Sequence, residues 1–241
     1  MLNFIHIAKT GGTSFEQFLK DSNLKFKSYH LVKPDYPINE KDKYLILLRN
    51  PLKRFVSAFN YYFSLIDQDL NKIYSNNLSL DNCLSPYFTH KKLINNYYFS
   101  KDIDENIIFF QNANKLAESL SSDDLYLRNK AIEICNYSHF LGFGFYLDNG
   151  EFLKKYKDNI IWVGKLETIN SDIDKLKNIL NIKTDLSLKK LRENKNSFSN
   201  LLSEKAINNL IHFYNDDYKT LDVLYNLNFI DHETLESYKK Y

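Results

Sequence analysis

Two short segments of the chain combine cations, hydroxyls and glycines in a way that suits anion binding. The first segment contains, in order, Lys9, Thr10, Gly11, Gly12, Thr13 and Ser14. Glycines let backbone N–H groups approach an anion closely, and the N-terminus of a following helix adds partial positive charge. We therefore predict that residues 9–14 hold a phosphate or sulfate group. The alternative is a tight glycine turn with ordinary helix caps.

The position of the lysine distinguishes this loop from a Walker A loop. A Walker A sequence carries its lysine directly after the last glycine, whereas Lys9 precedes Gly11 and Gly12. A lysine at the start of the loop is expected to lie beside the terminal phosphate or sulfate of a ligand.

The second segment begins at Arg49 and extends to Ser57. Arg49 offers a planar fork of N–H donors, and Ser57, about two turns into a predicted helix, offers a hydroxyl. Together they could hold a second phosphate. The alternative is that Arg49 pairs with a surface carboxylate and Ser57 is an exposed helical serine. Two anion sites at adjacent strand ends indicate a nucleotide phosphorylated at two positions rather than ATP.

Predicted strands precede both segments. Residues 2–7 and 44–48 are short apolar runs typical of buried parallel strands, and further strands are predicted at residues 26–31 and 160–163. Helical spacing of apolar residues follows these runs. We predict an α/β fold, a P-loop-like three-layer sandwich with a central, mostly parallel sheet flanked by helices. Since no linker or repeat divides the chain, residues 1–241 are predicted to form one domain.

Local sequence also predicts where helices begin. Asn50 followed by Pro51 is typical of an N-cap and first helical residue. Thr13 with Glu16, and Ser14 with Gln17, both fit a capping box at the start of the first helix. Residues 203–224 are predicted to form one helix.

Composition excludes several classes of protein. The net charge of +2 is too close to neutral for a general nucleic-acid binder, and the hydrophobic content of 44% argues against wholesale disorder. The apolar run at residues 2–7 is too short for a signal peptide, and no apolar stretch of about 18 residues predicts a membrane span. We therefore expect a cytoplasmic protein. Cys83 and Cys135 are expected to be reduced thiols, with a single disulfide between them as the alternative, and no residue spacing matches a metal site. The oligomeric state is left open.

In type and order, the two segments resemble those of sulfotransferases that use 3′-phosphoadenosine 5′-phosphosulfate (PAPS). The chain looks most like the group that contains heparan sulfate 2-O-sulfotransferases and related bacterial carbohydrate sulfotransferases. Residues 6–14 are similar to the family's 5′-phosphosulfate loop, and residues 49–57 to its 3′-phosphate motif, Arg-x-Pro-x-x-Arg-x-x-Ser. Two positions depart from the pattern, because Ala8 stands where proline is usual and Asn50 where aspartate is common. A weaker likeness covers residues 162–167.

The resemblance implies transfer of a sulfuryl group from PAPS to a hydroxyl, with release of 3′,5′-ADP (PAP), and it favours a carbohydrate as the acceptor. It places Lys9 at the leaving phosphate and a catalytic histidine near His30, which closes the second predicted strand. The alternative for His30 is a packed ring bonded to backbone, and His6, inside the first strand, is expected to be structural. Acceptor recognition is expected in residues 67–136, and the loop at 194–197 resembles a stretch that folds over the nucleotide.

Two other functions share these features. A P-loop nucleoside or small-molecule kinase has the same kind of sheet and an anion loop, but needs its lysine after the glycines and an aspartate at a strand end for magnesium. A noncatalytic nucleotide- or glycan-binding module could use the same scaffold. The presence of Lys9 and His30 favours the enzyme over this module.

Overall fold

Four parallel strands form the central sheet of the described part of the chain. The computed structural model describes residues 1–32, 41–76, 107, 109–183, 188 and 201–241, and for residues 65–76 only the backbone. The strands are β1 (Leu2–His6), β2 (Phe26–His30), β3 (Lys43–Leu48) and β4 (Ile160–Lys165). Their order in the sheet is β2-β1-β3-β4, and all three pairings are parallel. All four predicted strands are therefore confirmed.

Helices connect and flank the strands. They are α1 (Gly12–Asp21), α2 (Pro51–Asn76), α3 (Ala113–Ser119), α4 (Leu125–Cys135), α5 (Phe143–Tyr146), α6 (Glu151–Lys155), α7 (Ile169–Leu180), α8 (Glu204–Phe213), α9 (Asn215–Asn226) and α10 (His232–Tyr238). The predicted α/β class is confirmed, since the all-parallel sheet with flanking helices is consistent with a three-layer sandwich. Within the described ranges, none of these helices has the length and apolar character that crossing a membrane requires.

The chain divides into two compact units. The sheet unit contains Met1–Arg54, Leu141–Glu193 and Ile211–Tyr241, and the helical unit contains Phe55–Phe140 and Asn194–Leu210. All four strands, the glycine loop and Arg49 belong to the sheet unit. The single domain expected from the sequence stays a prediction.

A hydrophobic cluster holds α1 and α7 in place in the sheet unit. Phe4 of β1 and Leu45 of β3 pack against Phe15 of α1, and all three are fully buried. The Phe15 ring stacks on Trp162 of β4 at a centroid distance of 5.1 Å. Burying one such side chain stabilises the fold by about 1.5–3 kcal/mol. This packing fixes the helix that begins at the glycine loop.

The second predicted helix start is confirmed, and the C-terminal helix is divided. The Asn50 side-chain oxygen accepts hydrogen bonds from the backbone N–H groups of Leu52 (3.0 Å) and Lys53 (3.1 Å), as an N-cap does. The single helix predicted over residues 203–224 is wrong, because α8 and α9 are separated at Tyr214.

Candidate functional site

The carboxyl ends of β1 and β3 bring the glycine loop and Arg49 together. The chain leaves β1 toward β2 on one side of the sheet and leaves β3 toward β4 on the other. Open parallel sheets bind ligands in the crevice at such a switch point. Here the side chain of Arg49, directly after β3, donates from Nη1 to the backbone oxygen of Lys9 at 3.0 Å. The predicted proximity of the glycine loop and Arg49 is therefore confirmed.

The loop after β1 turns the backbone directly into the N-terminus of α1. Lys9 and Gly11 both have left-handed backbone angles, with φ of 65° and 88°. Gly11 is the N-cap of α1, without a side-chain cap, and its carbonyl accepts the N–H of Phe15 at 3.2 Å. Both predicted capping boxes are wrong, because the helix begins before Thr13 and Ser14, and Glu16 and Gln17 bond to other residues. The first N–H groups of a helix have no acceptor within the helix, so they can bind an anion.

Two buried bonds shape the loop from within. The hydroxyl of Thr10 is fully buried and donates to the carbonyl of Ile7 at 2.8 Å, so Thr10 supports the loop from its interior. The N–H of Ala8 donates to the hydroxyl of Tyr146 at 3.3 Å. A proline at position 8 could not make this bond. The departure from the family pattern at Ala8 therefore supplies an anchor that sequence reasoning missed. The partly exposed residues of the loop are Lys9, Gly11, Thr13 and Ser14.

Gly12 is required because the His6 ring lies against it. A Cβ atom at Gly12 would lie 2.1 Å from both Cδ2 and Nε2 of His6. The imidazole of His6 is nearly buried, and it lies directly behind the first turn of α1. From its place inside β1, His6 was expected to be structural only, and the strand pattern alone carries no signal for this contact.

His30 lies beside His6 in a geometry that suits a base. Its Nδ1 lies 3.2 Å from the backbone oxygen of His6, and the two rings are 4.2 Å apart. A carbonyl oxygen only accepts, so Nδ1 carries the hydrogen and the neutral ring has its lone pair on Nε2. Burial, with the nearby His6 and Lys9, lowers the pKa of His30 to about 4, so the ring is neutral at pH 7 but is a weaker proton acceptor than an ordinary histidine. The hydrogen bond from the ring to the backbone, which was the alternative to a catalytic role for His30, is present. Because this bond uses Nδ1–H, Nε2 is the basic nitrogen of the ring.

Glu16 is a site residue that the sequence did not indicate. Its Oε1 accepts hydrogen bonds from Nδ1 of His6 at 2.8 Å and from Oγ of Ser28 at 2.5 Å. Burial opposes ionisation of Glu16, but these two hydrogen bonds outweigh it and lower its pKa to about 2. Glu16 is therefore a carboxylate at neutral pH, next to both histidines.

Glu167 fixes the backbone that follows Arg49. It lies two residues after β4, in the segment with the weaker likeness. Its two oxygens accept from the N–H of Asn50 at 2.9 Å and from the hydroxyl of Tyr238 at 2.8 Å. Arg49 is largely buried here; burial lowers its pKa, and the Glu167 carboxylate opposes this shift. Because guanidinium stays charged in proteins, the result is a positive group held rigidly beside the loop.

The two other polar residues of the second motif have different positions. Arg54 is fully buried; it donates to the carbonyl of Leu141 at 2.9 Å and lies 3.9 Å from a carboxylate oxygen of Asp217. Its role is therefore to join the start of α2 to α9. Ser57 lies on α2 in the helical unit and is half-buried. Its binding of a phosphate stays a prediction.

No protein-family model, curated protein or solved structure matches the chain. The resemblance to sulfotransferases therefore stays a prediction. Within residues 1–32, 41–76, 107, 109–183, 188 and 201–241, no group of three or more His, Cys, Asp or Glu side chains is arranged to hold a metal ion. Cys135 is buried. Cys83, the loop at 194–197 and much of the region expected to recognise the acceptor lie outside the described residues.

Proposed function

We propose that the protein is a sulfotransferase that moves a sulfuryl group from PAPS to a hydroxyl, with a carbohydrate as the acceptor. The observation that carries the proposal is the contact between Arg49 and the backbone of Lys9 at the carboxyl ends of β1 and β3. An anion loop and a guanidinium at one switch point suit a nucleotide with two separate phosphates. The 5′-phosphosulfate would bind at the loop and the 3′-phosphate at Arg49.

The proposed reaction is an in-line displacement at sulfur. The acceptor oxygen attacks the sulfur of PAPS, an S–O bond forms, and the S–O bond to the 5′-phosphate breaks. Nε2 of His30 takes the hydroxyl proton, which typically accelerates such a step on the order of 10²–10⁴-fold. Lys9 and the first N–H groups of α1 stabilise the charge that develops on the departing phosphate. The products are the sulfated acceptor and 3′,5′-ADP.

The same residues argue against a magnesium-dependent kinase. Such an enzyme needs a carboxylate at a strand end to hold the metal, whereas β3 is followed by Arg49. Glu167, two residues after β4, already accepts hydrogen bonds from Asn50 and Tyr238 with its two oxygens. A cation at this place attracts a phosphate and repels a metal ion. Magnesium-dependent turnover of ATP would nevertheless favour the kinase over the sulfotransferase.

Calorimetry with 3′,5′-ADP, ADP and ATP tests donor recognition. A charge-assisted hydrogen bond contributes about 1.5–3 kcal/mol, so 3′,5′-ADP should bind about 10- to 100-fold more tightly than ADP. Arg49→Ala should abolish this preference. Lys53→Ala, which removes an exposed cation four residues away, is the matched control and should keep it. Equal affinities for the three nucleotides in the wild-type protein would contradict the proposal.

Radiolabelled sulfate transfer from PAPS to a panel of carbohydrate acceptors tests the reaction. Lys9→Ala and His30→Ala should each lower the rate at least about 10²-fold, because one removes charge stabilisation and the other removes the base. Lys20→Ala and His212→Ala replace an exposed lysine and an exposed histidine, and they should leave the rate of sulfate transfer unchanged. A wild-type rate from His30→Ala would exclude it as the base.

A further inference from the structure

One carboxylate oxygen joins three elements that meet at the site. Oε1 of Glu16, on α1, accepts from His6 on β1 and from Ser28 on β2. The strand β1 leads to the anion loop, and β2 ends at His30. These hydrogen bonds cross between elements, so they fix the relative positions of the helix and the two strand ends.

Contacts on both sides of the His6 ring hold it in one orientation. Its Nδ1 lies 2.8 Å from Glu16, and its ring edge lies against the Cα of Gly12. Rotating the ring by half a turn would place a carbon atom where Nδ1 now meets the carboxylate. The backbone oxygen of His6 accepts from Nδ1 of His30, its partner in the strand register.

We propose that Glu16 is a positioning residue that acts through His6 to orient His30 for proton transfer. The inference rests on the proposed sulfotransferase activity. Glu16 keeps the hydrogen of His6 on Nδ1 and holds the ring in contact with His30. Its negative charge also favours the cation that His30 becomes when it takes the acceptor proton. The charged and titratable groups that act on His30 are His6, Glu16 and Lys9.

Two substitutions separate hydrogen bonding from charge. Glu16→Gln keeps an acceptor oxygen for His6 and Ser28 but removes the charge, and Glu16→Ala removes both. We expect the single-turnover rate of sulfate transfer to fall about 10-fold in Glu16→Gln and about 10²-fold in Glu16→Ala, the size of effect that small misplacements of a catalytic group cause. Affinity for 3′,5′-ADP should stay within about twofold, because the loop and Arg49 are retained.

Asp21→Asn is the matched control, since it removes one carboxylate from the same helix. It should keep the wild-type rate. A wild-type rate from both Glu16 variants would overturn the inference, and so would a fall in nucleotide affinity as large as the fall in rate.

A second measurement does not depend on turnover. Ring-nitrogen NMR shifts of His6 and His30 report which nitrogen carries the hydrogen. We expect Glu16→Ala to change the shifts of both rings and Asp21→Asn to change neither; unaltered His30 shifts in Glu16→Ala would overturn the positioning role. If the wild-type protein transfers no sulfate, the proposed function is wrong. The NMR result would still decide whether Glu16 orients His30.

Discussion

A methyl group at Gly12 would collide with the His6 ring. An ideal Cβ at Gly12 lies 2.1 Å from Cδ2 and Nε2 of His6 and 2.8 Å from Cε1, whereas carbon atoms in contact are about 3.5–4.0 Å apart. The ring is nearly buried and cannot move aside without breaking its 2.8 Å bond to Glu16. We therefore predict that Gly12→Ala destabilises the protein through His6 specifically.

The expected magnitude follows from three contributions. Overpacking a buried site costs about 1–3 kcal/mol, and a lost hydrogen bond to a charged group costs about 1.5–3 kcal/mol. Replacing glycine by alanine in a helix offsets this by roughly 0.5–1 kcal/mol. Because the ring either stays in place and is overpacked or moves aside and loses its hydrogen bond, only one of the two costs applies, and Gly12→Ala should lower the free energy of unfolding by about 1–2 kcal/mol. In a His6→Ala background the three nearest atoms are gone, so the same change should be neutral or slightly stabilising.

Urea unfolding of the wild type, the two single variants and the double variant measures this coupling. We expect a coupling free energy of about 2–3 kcal/mol. Effects that add to within about 0.5 kcal/mol would refute the contact between Gly12 and His6. Gly11→Ala is the comparison, because its φ of 88° strains any alanine whether or not His6 is present. Its effect should add to that of His6→Ala.

Three further predictions concern stability. Tyr146→Phe leaves a buried backbone N–H without its acceptor and should lower the free energy of unfolding by about 1–3 kcal/mol, whereas Tyr126→Phe, at an exposed ring, should have no effect in the same urea titration. Arg54→Ala leaves a buried carboxylate without its partner and should cost about 3–5 kcal/mol, against less than about 0.5 kcal/mol for Lys53→Ala, measured by thermal unfolding. The pKa of His30 is lowered from 6.5 to about 4 in the folded protein. Between pH 6.5 and 4 the unfolded chain therefore binds more protons than the folded protein, and the free energy of unfolding should fall as the pH falls through this range. His30→Gln should reduce that slope, and an identical slope in the variant would contradict the lowered pKa.

Much of the fold could be predicted because its signals are local. The apolar runs at residues 2–7 and 44–48 predicted buried strands, and β1 and β3 lie there. Asn50 and Pro51 predicted a helix start, since a side-chain oxygen can accept the first N–H groups of its own helix wherever that helix lies in the protein. Such features depend on residues a few positions apart, so a single sequence contains them.

The candidate site could be predicted only in part. The types and order of Lys9, Gly11 and Gly12 indicated an anion loop, and the loop has the left-handed backbone that brings a helix N-terminus to its end. The capping box at Thr13 failed because the local bond competes with tertiary ones. Glu16 turns instead to strands β1 and β2, where a histidine and a serine both donate to it.

By itself, the sequence determined the strands, the glycine loop and the helix that follows it, together with which side chains are available for chemistry. Only the tertiary structure decided which of them meet: Arg49 with the backbone of Lys9, Glu16 with His6, and Glu167 with the start of α2. The physical reason is that strand order sets these contacts. Local periodicity specifies whether a segment is a strand, whereas its neighbours in the sheet depend on how all the elements bury their apolar faces together.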